Sequence, residues 1–348
     1  METLGVGLIG YGLAGQTFHA PVISSVPGLK LHAVVERSGE RSLEKYPEIK
    51  LLRTAEELVQ DPDISLVVIA TPNAAHAKLA KLAMEHGKHV VIDKPFTVYS
   101  SEADELIAVS ERQGVVLSAF HYRRWDGDFL TVKQIVETGT LGKVVEFESH
   151  FDRYTPFAAG DENWRNEQQP GSGVLYDLGP HLIDQALELF GKPRRLFADV
   201  RAQRPGAVVD DYFEVVLEFD EVKAILKAGS LVRELGPRFT LHGTKGSFVK
   251  YGLDPQEDAL KSGQTPAMPD WGREPEQQWG KLNTEFSGLH VIGAVETLHG
   301  SYQSYYEDIY NAIVSGREPA VSAKQAREIV VLIEKAVESS ARREMIEL

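Results

Sequence analysis

The chain has 348 residues, more than one hydrophobic core ordinarily spans, and its 43% hydrophobic and 25% charged residues fit a folded protein of two domains, not a disordered one. A net charge of −14 repels phosphate backbones and anionic lipid, and no basic run offsets it, so neither nucleic acid nor a membrane surface is an expected partner. With no cysteine, disulfides, thiolate metal sites and a cysteine nucleophile are excluded; the start Met1-Glu2-Thr3-Leu4 lacks a basic leader and no apolar stretch reaches a membrane span, which makes the cytoplasm the expected location.

An apolar strand is expected over residues 5–9, ending in glycines, followed by a helical pattern over 14–23 that Pro21 breaks. Buried strands follow at 31–35, 65–70, 89–92 and 115–118, with helices at 55–60, 74–86 and 101–113 between them. Strands apolar on both faces that alternate with helices predict a doubly wound parallel sheet, an α/β Rossmann domain over 1–122. From 123 to 348 the rhythm changes to an α+β domain with a mostly antiparallel sheet, for substrate binding and oligomerisation. It opens with a helix over 128–138 and a strand over 144–151; a loop rich in Gly, Pro and Asn leads to Gly171, and the next helix ends at Gly191. Strands are then expected near 195–201, 211–219, 222–231 and 238–242, a polar surface excursion with one short helix over 252–289, and closing helices over 302–315 and 323–340. Val215, Leu217 and Phe219, against Phe213 and Val216, read as apolar residues on both sides of one strand, which points to a homodimer or higher homo-oligomer.

Gly10-Tyr11-Gly12-Leu13-Ala14-Gly15 fits G-x-G-x-x-G directly after a strand and at the opening of a helix. Glycines there let the backbone turn tightly and approach a pyrophosphate, whose charge meets the helix N-terminus. Glu36, at the end of the second strand, can accept hydrogen bonds from an adenosine ribose and argues for NAD; Arg37 and Ser38 beside it can instead bind a 2′-phosphate, and both cofactors stay open. Thr71-Pro72-Asn73 and Asp93-Lys94-Pro95 follow the third and fourth strands at the carboxyl edge, where open α/β sheets bind ligands, and His76 joins the cofactor candidates. Lys94, with proline on its far side, is expected to point to where a nicotinamide lies.

Asp177 and His181, four residues apart, share a face on one helical turn, while Pro180 favours a first turn and puts Asp177 just before or at the helix start. Tyr122, Arg124, Trp125, Arg153, Tyr154, Trp164 and Arg165 are the candidates for substrate contact, since guanidinium forks bind hydroxyls and aromatic faces pack on C–H groups; salt bridges and domain packing are the alternative for each. Tyr302, Tyr305 and Tyr306 read as core, with one hydroxyl in reach of the site. His86 and His89 have no partner spaced to complete a metal site, so no metal is implied.

The glycine loop, Thr71-Pro72-Asn73, Asp93-Lys94-Pro95 in place of the commoner E-K-P, and Asp177-x-x-x-His181 together resemble the Gfo/Idh/MocA oxidoreductases over essentially the whole chain. Phe18-His19-Ala20-Pro21, His121-Tyr122-Arg123-Arg124-Trp125-Asp126, Trp164-Arg165 and Lys250-Tyr251-Gly252 are similar to the NADP-linked scyllo-inositol 2-dehydrogenase branch, from which Glu36 departs. The resemblance implies an NAD(P)-dependent hydride transfer to or from a secondary alcohol or ketone of a cyclitol or sugar, scyllo-inositol among them. It also implies that His181 takes the hydroxyl proton, Asp177 orients the imidazole and Lys94 stabilises the oxygen. The same family harbours glycoside cleavage by transient oxidation and a non-catalytic dinucleotide-binding regulator; loss of the lysine or histidine would favour the regulator, and both are present.

Overall fold

The computed structural model describes residues 3–157 and 169–348, so Trp164 and Arg165 lie outside the described residues. Among these, packing forms two compact units, neither continuous in sequence: one gathers residues up to 125, 256–271 and 301–330, the other 126–255, 272–300 and 331–348.

In the first unit β1 (Leu4–Ile9), β2 (Leu29–Val35), β3 (Lys50–Leu52), β4 (Leu66–Ile69), β5 (His89–Ile92) and β6 (Leu117–Ala119) form a parallel sheet ordered β3-β2-β1-β4-β5-β6. This is the doubly wound arrangement, whose order reverses between β1 and β4. The physical reason for the unbroken apolar runs is visible along β4. Leu66 and Val68 enter a core with Ile23, Tyr305 and Ile309, while Val67 and Ile69 enter a separate core with Leu58, Met84 and Leu106. Period-two alternation thus feeds two apolar layers instead of one. The strand β3, which the sequence reading lacks, is three residues long and part-exposed.

Helices cover the sheet: α1 (Ala20–Ile23), α2 (Arg41–Lys45), α3 (Ala55–Gln60), α4 (His76–Glu85) and α5 (Ser100–Gln113). The expected break at Pro21 does not occur. A π turn over Gly15–His19, closed by the Ala20 N–H on the Gly15 carbonyl, runs straight into α1, and Pro21 sits in its first turn, where a missing N–H is tolerated.

The second unit holds α6 (Gly127–Glu137), β7 (Val144–His150), α7 (Val174–Phe190), β8 (Arg195–Arg201), β9 (Tyr212–Glu218), β10 (Lys223–Gly229), β11 (Phe239–Gly243) and β12 (Gly246–Lys250). With later strands these make a nine-stranded sheet in which β7 and β10 are parallel and every other pair is antiparallel. On β9 the buried residues are Phe213, Val215 and Leu217, and Tyr212, Glu214, Val216 and Glu218 occupy the other face. That corrects the side expected for Phe213, which parity places with Val215 and Leu217, and leaves Val216 as the apolar residue of the other face that the sequence expectation named.

The expected excursion over 252–289 is also corrected. After α8 (Gln256–Lys261) of the first unit, β13 (Gly280–Phe286) and β14 (Leu289–Val295) add a hairpin to the edge of the second sheet. Its tip, Ser287-Gly288, has positive φ at both residues, the conformation of a tight hairpin turn. The hairpin is exposed on both faces over most of its length, so neither strand carries the one-sided apolar pattern that marks a strand in sequence. The chain closes with α9 (Gln303–Ser315), α10 (Ala323–Arg342) and the two-residue β15 (Ile346–Glu347). Among the described residues no helix is long and apolar enough to cross a membrane.

One ion pair in the second unit is wholly enclosed: the Lys250 ammonium lies 2.7 Å from Glu274, both side chains 1% exposed, and also donates to the Tyr251 carbonyl. Removing one charge leaves its partner buried and unpaired, whereas removing both does not. Lys250→Met is therefore expected to lose about 3–5 kcal/mol in urea unfolding, and Lys250→Met with Glu274→Leu much less. Equal losses in the single and double variants would show the pair to be uncoupled.

Candidate functional site

The carboxyl edge of the first sheet is assembled from the residues that follow its strands. Gly10, with φ +99°, donates its N–H to the Val35 carbonyl at 3.2 Å; a Cβ on it would lie 2.4 Å from the Ala70 carbonyl oxygen. A Cβ on Gly15 would meet the Gly10 carbonyl at 2.1 Å, so helix and strand approach as closely as backbone allows. At Gly12 the opposite holds: an added Cβ meets nothing within 4 Å. The loop is closed behind and open in front. Leu13 is exposed and Ala14 partly so. A buried Thr71 hydroxyl oxygen at this edge has no hydrogen-bond partner among the described residues, Pro72 is exposed and Asn73 is buried. An open glycine cradle at a helix start and an orphan hydroxyl fit a dinucleotide, which would meet backbone N–H groups at its pyrophosphate.

Glu36 is not oriented as its position suggests. Its Oε1 accepts from the Ser42 N–H at 2.8 Å and the Ser42 hydroxyl at 2.5 Å, so the carboxylate serves the first turn of α2. Its Oε2 is buried without a hydrogen-bond partner, 3.9 Å from the Arg41 Nε, and the side chain is 3% exposed. By contrast Arg37 and Ser38 are exposed and the Arg41 side chain is 60% exposed, with its guanidinium held on the Tyr11 carbonyl at 3.1 Å. Arg41 is a candidate that sequence reasoning missed.

Further along the edge, the Lys94 N–H donates to the Asp93 carboxylate at 2.8 Å. His76 is fully buried and its ring nitrogens lie 2.9 Å from the Thr71 and Pro95 carbonyls, so it braces the loops around Lys94 from within. Tyr122 and Arg124 are buried in the first unit. Tyr122 stacks on Phe18 and Phe120 and meets Tyr302 edge-on; Arg124 donates to the Ala320 carbonyl at 2.9 Å. Trp125 packs edge-on against Tyr305.

In the second unit Asp177 and His181 lie one turn apart on a common face of α7, Asp177 partly buried and His181 2% exposed. Asp177 lies in the first turn of α7, which begins at Val174, and Pro180, one turn further on, is an interior proline, where it removes one ladder N–H. The helix start is capped from outside. Leu175 N–H donates to the Asp210 carboxylate at 2.7 Å and Val174 N–H to the Asp210 carbonyl at 3.0 Å. Arg238, buried, donates from one guanidinium nitrogen to Gln185 on α7 at 3.0 Å and from another to Ser149 on β7, tying helix to sheet. Arg153 is exposed with its guanidinium over the Phe151 ring, and the hydroxyl of the exposed Tyr154 accepts from Arg233 at 2.6 Å. Arg204, paired with Asp211 at 2.9 Å, donates to the Thr155 and Phe157 carbonyls, fixing that loop. Asp210 and Arg204 had no motif to announce them.

The fold, together with the similarities that follow, is that of an NAD(P)-dependent oxidoreductase acting on CH–OH groups. Residues 4–121 match the family model for the NAD-binding Rossmann fold of the Gfo/Idh/MocA oxidoreductases, and 133–348 match that for their C-terminal alpha/beta domain. The chain belongs to this family. It is 45% identical to the Escherichia coli oxidoreductase YdgJ over 98% of both chains. It is 36% identical to the Bacillus subtilis scyllo-inositol 2-dehydrogenase (NADP(+)) IolW, over 100% of this chain and 97% of that protein. The solved structure of the oxidoreductase YvaA from Bacillus subtilis superposes with a TM-score of 0.96 at 36% identity, covering 100% of this chain and 99% of that one.

Burial pushes the Asp210 carboxyl up to about 6 despite its backbone hydrogen bonds. In the unfolded chain it titrates near its ordinary 3.8, so the folded state holds the proton longer; the stability this confers is full below pH 4 and lost as pH rises through 6. Asp210→Asn keeps a neutral acceptor for Leu175. Its stability relative to the unsubstituted protein should rise by roughly 2–3 kcal/mol between pH 4 and 7.5. Parallel pH–stability curves for the two proteins would refute this account of the cap.

Proposed function

We propose that this protein moves hydride between NADP and a secondary alcohol or ketone of a cyclitol or sugar, with scyllo-inositol the first substrate to test. The observation that carries the reading is full-length similarity, at 36% identity, to a protein named for that activity. The bound nicotinamide supplies the hydride acceptor or donor. His181 takes the proton of the reacting hydroxyl, Asp177, one turn earlier on α7, orients the imidazole, and the Lys94 ammonium stabilises the oxygen as its charge changes. Arg153, Tyr154, Trp164 and Arg165 supply donors and apolar faces to a polyol, with Tyr122, Arg124 and Trp125 as further candidates for substrate contact.

The preference for NADP rests on Glu36. A carboxylate locked onto Ser42 and closed to solvent neither receives a ribose hydroxyl nor faces a 2′-phosphate, whereas Arg37, Ser38 and Arg41 offer that phosphate charge-assisted hydrogen bonds. The assembly we infer is a homodimer or larger. Phe197, Val216 and Ile225 are directly cross-strand neighbours on the face of β8, β9 and β10 that carries the partly exposed residues, and such an apolar row suits a second copy.

A panel of inositols and aldoses with NADP and NAD, followed at 340 nm, is expected to give its strongest signal with scyllo-inositol and NADP. Silence with every polyol would end the substrate reading. His181→Ala should lower kcat about 100-fold or more with nucleotide affinity within about threefold. Arg41→Ala should weaken NADP about tenfold and leave NAD unchanged, while Glu36→Gln shifts neither by more than about threefold; a selective gain of NADP affinity in Glu36→Gln would mean that the carboxylate faces the nucleotide after all.

A further inference from the structure

The residue beside Lys94 is held by a buried polar chain that starts far away in sequence. His19, the last residue of the π turn, is fully buried, its ring centroid 4.3 Å from that of Phe120. Its Nδ1 is 2.6 Å from the Tyr306 hydroxyl on α9, and its Nε2 faces the Asp93 carboxylate at 3.8 Å, an electrostatic contact longer than a hydrogen bond. A phenol hydroxyl donates readily to an imidazole nitrogen, and that assigns the ring proton to Nε2, directed at Asp93. The same Asp93 oxygen accepts the Lys94 N–H. Burial pushes the Asp93 carboxyl up, but His19, then Lys94 and His76, outweigh it and hold the group below its ordinary range, as a carboxylate.

An apolar side chain would fill the space between Phe120 and Tyr306 without desolvating an imidazole and a carboxylate. What the polar chain adds is direction: Tyr306 sets the ring, the ring sets Asp93, and Asp93 sets the Lys94 backbone, while His76 grips the next carbonyl, that of Pro95. We propose that His19, backed by Tyr306, is a positioning residue for hydride transfer that acts through Asp93 on Lys94. This rests on the reading of Lys94 as the group beside the reacting oxygen.

The test compares His19→Leu, His19→Gln, Tyr306→Phe and Lys94→Ala for binding of NADPH and of its nicotinamide-free fragment 2′-phospho-ADP-ribose, and for kcat and KM. His19→Leu should bind the fragment as the unsubstituted protein does within about threefold, bind NADPH about tenfold more weakly, and lose at least about tenfold in kcat with little change in KM. His19→Gln, which keeps a donor near the Nε2 position, should recover most of both losses. In the Lys94→Ala background His19→Leu should lower kcat no further, because both act through one group. Loss of both ligands together in a folded variant, or full additivity with Lys94→Ala, would overturn the proposal in favour of a purely structural histidine. Should His19→Leu not fold, Tyr306→Phe, which deletes one oxygen, must show the same split at smaller size or the proposal falls. If no polyol is turned over, the substrate reading fails alone, since the two-ligand comparison needs no substrate and still decides the role of His19. Were NADH the tighter ligand, ADP-ribose would replace its phosphorylated form.

Discussion

A parallel sheet buried on both faces can do no chemistry along its strands. In the first unit each strand residue from Leu66 to Ile69 belongs to one of two apolar cores, and the same holds for Val90 to Ile92. The first positions released from that constraint are those just past the strand ends. Gly10 follows β1, Glu36 follows β2, Ala70 and Thr71 follow β4, and Asp93 follows β5. Parallel strands bring all these ends to one edge, and the reversal of strand order between β1 and β4 keeps a crossing helix from covering it there. The glycine loop is then forced by sterics: its turn passes so near the Ala70 carbonyl that no Cβ fits at Gly10.

The second unit solves a different problem, that of holding a polar pair on a helix largely buried in a mixed sheet. Asp177 and His181 are both carried by α7, and Pro180 between them breaks one rung of its ladder. The compensation comes from outside the helix. Asp210 receives the free N–H of Leu175 at its start, and Arg238 reaches Gln185 one turn beyond His181. Both contacts are made by charged groups in low-dielectric surroundings, where a directed hydrogen bond constrains orientation more tightly than apolar packing does.

What the sequence made legible follows from this physics. The helix over 55–60 and the strand over 89–92 stand at those residues because each carries a local signal: a Thr54/Glu57 capping box for one, an apolar run for the other. The glycine loop and the Asp177–His181 spacing are equally local. What escaped was set by distant or exposed partners. The orientation of Glu36 is decided by Ser42, the β13–β14 hairpin lacks a buried face, and His19 meets a tyrosine 287 positions away. The segments 256–271 and 301–330 join the first unit through tertiary packing that no sequence period reports.

Charge completes the picture. A chain with a net charge of −14 that takes up an anionic dinucleotide works against its own field, and the repulsion has to be removed locally. From Gly10 to Val35, across the glycine loop, the π turn, α1 and β2, there is no aspartate or glutamate. The first acidic residue after that stretch, Glu36, is folded inward onto the N–H and hydroxyl of Ser42 in the first turn of α2, where the helix start favours a negative charge, while Arg37 and Arg41 stay outside. At the carboxyl edge of the first sheet the sign of the exposed charge is thus set by the placement of a few side chains rather than by overall composition. This is why a carboxylate at the end of β2 is a poor guide to cofactor choice until its hydrogen-bond partner is known.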